Sequence, residues 1–146
     1  MGSESYKRIL VATDGSENVK NAIDWSVELA RATGAQLFAV YVIPNVNIGF
    51  ASRGASWAES FKEHMEEEGC SATQYVDGAA KKAGVEVEST ILEGNPTDTI
   101  LEYAENNGID LIVMGTLGKT GIKRFLLGSV AENIVRHFTK QVLVVP

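Results

Sequence analysis

One cysteine, two histidines and three prolines in 146 residues rule out several kinds of chemistry before any motif is considered. A single thiol, Cys70, cannot close an internal disulfide, which removes disulfide-stapled secreted domains from consideration and fits a reducing cytoplasm. His64 and His137 stand far apart in the chain, so no cluster of Cys and His has zinc-ligand spacing. No serine occupies a G-x-S-x-G nucleophile elbow. Basic side chains are outnumbered, 13 against 19 acidic ones, and a formal net charge of -6 would repel a phosphate backbone. Nucleic acid is not an expected partner. No apolar run approaches the roughly 20 residues of a membrane span, and the start, Met1 to Tyr6, is polar with no signal-type core. A cytoplasmic protein without a membrane partner is the expectation.

What the chain does contain is the composition of an ordinary folded globule, 45% apolar and 22% charged, with no low-complexity tract. Its length fits one domain, residues 1–146, and a domain near this size buries roughly 70% of its unfolded surface. Arg8 to Thr13 (RILVAT), Gln36 to Ile43 (QLFAVYVI), Ile109 to Met114 (IDLIVM) and Gln141 to Val145 (QVLVV) are short continuous apolar runs, the pattern of strands buried on both faces of a parallel sheet. Val85 to Leu92 alternates polar and apolar residues, as an edge strand would.

Helical spacing fills the intervals. Ser16 is the expected N-cap of a helix carrying Val19, Ala22, Ile23, Val27 and Ala30 and stopped by Gly34. Trp57 to Ala83 reads as a long charged helix that restarts or bends near Gly69 and ends at Gly84, with Glu63 to Glu68 on a solvated face. Thr97 to Asn107 and Ser129 to Phe138 are the remaining helices. Strict alternation of strand and helix implies a doubly wound parallel α/β sheet with helices on both faces. Ligands bind such sheets beyond the carboxyl ends of the strands, where the winding reverses.

One of those loops is unusual. The segment Gly115 to Gly128 follows a buried strand and opens a helix, and it carries Lys119, Lys123 and Arg124 with no acid among them. Glycines allow backbone amides to approach phosphate oxygens, and free amides at a helix start favour negative charge. Anion binding follows. Gly118-Lys119-Thr120 imitates the end of a P-loop, but the first glycine of that motif would fall at Val113. Gly115, Gly118 and Gly121 are spaced three and three, which also fails the dinucleotide fingerprint.

The pattern Gly115-x2-Gly118-x9-Gly128-Ser129 is similar to the ATP-binding motif of universal stress proteins. The resemblance extends over nearly the whole chain, through the opening strand ending in Asp14, the Gly94-x-Pro96 turn and the closing LVVP run. It implies a five-stranded, Rossmann-like sheet of the adenine nucleotide alpha hydrolase type, with the switch point between the strands that end at Thr13 and Met114.

It also implies ATP as ligand, with Mg2+ or Mn2+. Gly115 and Gly118 would shape the loop near ribose and phosphate, and Gly128, Ser129 and Val130 would offer amides or hydroxyl to the phosphates. Val42 would use its backbone to recognise adenine, with Ala12 and Met114 lining the base pocket. Asp14 matches an acidic residue that contacts ribose or metal, its plainer role being a capping carboxylate after a strand. Some relatives have proline where this chain has Ala12.

A homodimer through the C-terminal strand is implied as well, together with a downstream partner protein that the sequence does not name. Enzymes that transfer adenylate on related sheets carry HxGH or SGGxDS, and neither string occurs here. No catalytic residue is assigned. Three readings stand at this point: a regulatory ATP-binding stress-response module, a slow ATPase, and a protein-interaction module that binds no nucleotide.

Overall fold

The structure is a computed structural model that describes residues 5–45, 54–116 and 127–146. Among the described residues five strands and four α-helices alternate: β1 (Arg8–Ala12), α1 (Lys20–Thr33), β2 (Gln36–Ile43), α2 (Ala55–Lys82), β3 (Val87–Glu93), α3 (Pro96–Asn106), β4 (Leu111–Gly115), α4 (Ser129–His137) and β5 (Gln141–Val145). They form one doubly wound domain with a single sheet of order β3-β2-β1-β4-β5. Every neighbouring pair is parallel. The chain starts in the middle, winds outward to β3, then returns across β1 to β4, so the reversal falls between β1 and β4.

The apolar runs are continuous because they face two cores. In β1, Ile9 and Val11 point toward α1 and α2, where they meet Ile23, Val27 and Val76, while Leu10 points the other way toward Ile100 of α3 and Ile134 of α4. Ile9, Leu10 and Val11 are all fully buried. Only a sheet covered on both faces asks this of consecutive residues.

Several local expectations are corrected. Ser16 precedes a short 3-10 turn, Glu17–Val19, and makes no side-chain cap; α1 itself begins at Lys20. The Ser16 hydroxyl instead lies against Asp14, donating to its Oδ1 at 2.6 Å, and its oxygen accepts from no amide of the helix. Gly69 does not interrupt α2, which runs continuously from Ala55 to Lys82. Its missing side chain serves packing, since a Cβ there would lie 2.8 Å from Tyr41 Cδ1 and 3.1 Å from Ile91 Cδ1. β3 starts at Val87, because the Val85 amide turns back to close the end of α2 on the Ala80 carbonyl at 2.9 Å. Among the described residues no helix is long and apolar enough to cross a membrane.

Candidate functional site

A cleft of about 340 Å³ opens above the carboxyl ends of β1, β2 and β4. Its floor is set by register. Ala12 ends β1 level with Val40 of β2, and Val11 lies level with Val113 of β4, so Ala12, Val40 and Met114 stand at one height across the sheet. β2 continues to Ile43 and forms a raised wall on one side. In a parallel ladder successive residues turn their amide and carbonyl alternately to the two neighbouring strands. Thr13 N donates to Val40 O at 3.0 Å on the β1 side, and Gly94 N donates to Ile43 O at 2.9 Å on the β3 side. The backbone of Val42 therefore faces the space that β1 has just left, which is the cleft.

The opposite end is the start of α4. Glu132 N is the first amide of that helix to reach back, bonding Gly128 O at 2.9 Å, so the amides of Ser129, Val130 and Ala131 have no intrahelical acceptor. No side chain among the described residues caps them. Gly128 N donates to Thr116 O at 2.7 Å and Thr116 N to Val145 O at 3.1 Å, and these bonds pin both ends of the glycine loop beside β5. Two strand spacings, about 10 Å, separate the β2 wall from the β4 end. A base, ribose and phosphate laid in line would span that distance.

Asp14 sits between the two ends. Its Oδ1 accepts from Ser16 N at 2.9 Å and from Ser16 Oγ at 2.6 Å, and Gly15 takes φ +78, a left-handed turn that glycine adopts without strain. The carboxylate is thus held by its own turn while bordering the cleft. Among the described lining residues it is the one carboxylate, and no lysine or arginine joins it.

Eight of the positions named from the sequence meet in this cleft: Ala12, Asp14, Val42, Met114, Gly115, Gly128, Ser129 and Val130. Gly118, Lys119, Lys123 and Arg124 lie outside the described residues. His64 and His137 are elsewhere, His64 paired with Glu68 at 3.8 Å and His137 Nδ1 2.8 Å from Asn133 O. A second depression of about 440 Å³ between α1 and α2 contains His64, Glu17, Lys20 and Glu68. Lys20 pairs with Glu17 at 2.9 Å, and this hydrogen bond raises the Lys20 pKa above its ordinary value. This is the solvated face expected of the Glu-rich helix.

The family model of the universal stress protein family matches residues 5–146. The chain belongs to that family. Universal stress protein MJ0531 of Methanocaldococcus jannaschii is 41% identical over 145 residues, which cover 99% of this chain and 84% of the relative. The solved structure of MJ0577 from the same organism is similar with a TM-score of 0.83 and 31% identity, over 97% of this chain and 96% of that one. A universal stress protein solved in complex with cAMP gives a TM-score of 0.73 at 26% identity, over 97% and 98% of the two chains.

This universal stress protein also lines its cleft with residues that its sequence did not single out. Thr13, Tyr41, Pro44 and Thr116 flank motif positions and could have been found by extending each strand end by one or two residues. Pro96 and Ile100 arrive with α3, whose first turn is held by Asn95 accepting from Asp98 N at 3.0 Å. Met65 comes from the middle of a charged helix, and no local pattern marks it.

Proposed function

We propose that this universal stress protein binds ATP in the cleft, with adenine against the β2 wall and the phosphates at the start of α4, and acts as a nucleotide-dependent regulatory module. The observation that carries this reading is the pairing of Val42 backbone at one end with the uncapped amides of Ser129, Val130 and Ala131 at the other. Helix amides and dipole favour an anion without needing a basic side chain. The cAMP complex of a relative supports an adenine nucleotide in this family's fold.

Asp14 fits a divalent ion held jointly with phosphate oxygens, since Mg2+ usually takes one or two carboxylates and completes its shell with phosphate and water. Such an ion would neutralise phosphate charge next to the Asp14 carboxylate. Gly115 and Gly118 belong to the same reading as loop positions close to ribose and phosphate.

Titration calorimetry with ATP tests it. Wild type should bind tightest, Asp14→Ala more weakly, and Gly118→Val weakest, by roughly a hundredfold to a thousandfold if phosphate contacts of about 3 to 4 kcal/mol are lost. A branched side chain at position 118 would fill space that phosphate oxygens need, whereas Asp14→Ala removes one polar contact and fills nothing. Circular dichroism should report all three folded. Wild-type affinity in folded Gly118→Val would place the phosphates elsewhere.

The module is proposed to work as a homodimer joined along β5. The two sheet edges differ in charge: β3 carries Glu88 and Glu93, both exposed, while β5 follows Gln141 with half-buried Val142, Leu143 and Val144 and has no ionisable side chain. Charge on an edge discourages pairing, and an uncharged apolar edge invites it. Light scattering at micromolar concentration should give twice the chain mass. Val144→Pro should return it to one chain mass, because Val145 O is turned to Thr116 on the β4 side and the Val144 amide therefore faces the free edge. A wild type that is already monomeric rules the dimer out.

A further inference from the structure

We propose that Met65 is a specificity-determining residue of the nucleotide cleft, selecting a purine base over a pyrimidine, and that Gly69 positions it. The proposal rests on the ATP-binding reading above and extends it to a helix that carries no part of the nucleotide motif. Among the described residues, Met65 is the one side chain that α2 contributes to the cleft. It is half-buried and packs against the small apolar cluster of Tyr41, Ile43 and Ala72 on the α2 side of β2. Val42, between Tyr41 and Ile43, packs on the opposite face of the sheet with Ile100 of α3.

A flat ring reaching the Val42 backbone beyond the end of β1 would therefore lie between two apolar walls. Met65 stands on one side, and Pro96 and Ile100 stand on the other. A thioether suits this place, because it is polarisable, packs well against aromatic rings and adapts its shape. A two-ring base offers these walls more apolar surface to cover than a single ring does.

The height of that wall is set one helical turn away. Gly69 follows Met65 by four residues, on the same side of α2, and a Cβ there would sit 2.8 and 3.2 Å from two carbons of the Tyr41 ring. Tyr41 is almost fully buried beneath it and cannot retreat far. Only glycine lets the helix come down onto β2 at this point, and Met65 comes down with it. Any side chain at position 69 would lift this stretch of α2 and draw Met65 away from the base. Gly69 thus acts through Met65 and touches no ligand.

The experiment compares ATP with CTP, which share ribose and triphosphate and differ in the base, in competition titrations extended to millimolar nucleotide. Met65→Ala should lose about tenfold in ATP affinity while CTP is unchanged, so that the ratio of the two falls by the same factor. Met65→Leu, which keeps apolar bulk, should restore the ratio to within about twofold of wild type. Gly69→Ala should lower it several-fold although Met65 is intact. Circular dichroism and thermal melting verify that each variant is folded.

Wild-type ATP affinity in folded Met65→Ala overturns the proposal, and so does an equal loss of ATP and CTP, which would mean a general disturbance of the cleft. A wild-type ratio in folded Gly69→Ala removes its positioning role. If wild type itself binds no adenine nucleotide, the ATP reading fails and Met65 selectivity falls with it. If wild type binds ATP and only the ratios refuse to move, the selectivity alone is wrong.

Discussion

Ser129→Asp is expected to weaken ATP binding by a hundredfold or more while leaving the protein at least as stable as wild type. Ser129 is the exposed first residue of α4 and borders the cleft. A carboxylate in the first turn of a helix interacts favourably with the free amides and dipole, by about 0.3 to 1 kcal/mol. That same carboxylate would occupy the place proposed for the phosphates. Two unit charges about 4 Å apart near a protein surface repel by about 4 kcal/mol, which is more than a hundredfold in affinity.

Stability and binding thus move in opposite directions, which general damage to the fold cannot imitate. Ser129→Ala is the control: it removes one hydroxyl and keeps every amide, and it should lose about tenfold or less. Calorimetry and thermal melting on both variants decide the matter. An Asp variant that binds ATP like wild type would falsify the placement of the phosphates at α4.

Leu10→Ala should destabilise the fold by about 3 kcal/mol, the middle of the range for emptying a fully buried leucine site. Leu10 has no exposed surface and lies on the central strand, level with Phe38 on β2 and Ile112 on β4. All three belong to the core between the sheet and α3 and α4, so the vacated space is walled by rigid strands on both sides. For a chain near this length the melting temperature should fall by about 10 °C.

The same variant connects the core to the ligand. Ala12, two residues on, faces the same side and forms the floor of the cleft, but its backbone is held by the ladder to β2. ATP affinity should then survive, and ATP at about a hundred times its dissociation constant should return about 2.7 kcal/mol of stability. Urea unfolding with and without ATP measures both quantities. A loss under about 1 kcal/mol would show that this core layer closes over the gap.

The strands were legible because burial on both faces leaves a continuous apolar run, and a run such as QLFAVYVI is too short for a buried helix and too apolar for a surface loop. Glycines marked the ends of helices for a similarly local reason: Gly34 and Gly84 take positive φ, a backbone state other residues avoid. Ser16 departs from its local preference because the path of the Asp14-Gly15 turn sets its hydroxyl against Asp14 Oδ1, to which it donates, and no helix amide reaches its oxygen. Gly69 departs from its own because glycine weakens a helix locally, and the packing of α2 on Tyr41 overrides that weakness.

By itself the sequence determined the order of strands and helices, the parallel winding, membership of the universal stress protein family, and the residues at the strand ends and at the start of α4. These are encoded within a few neighbouring positions, through hydrophobic period, turn residues and a spaced motif. Only the tertiary structure decided that Val42 and Ser129 stand at opposite ends of one cleft, that Met65 forms part of its wall, and that Gly69 sets the distance between α2 and β2. Contacts between residues far apart in the chain depend on register and on how closely a helix settles on the sheet. Both are fixed by close packing of the whole layer, which leaves no signature in any short stretch of sequence.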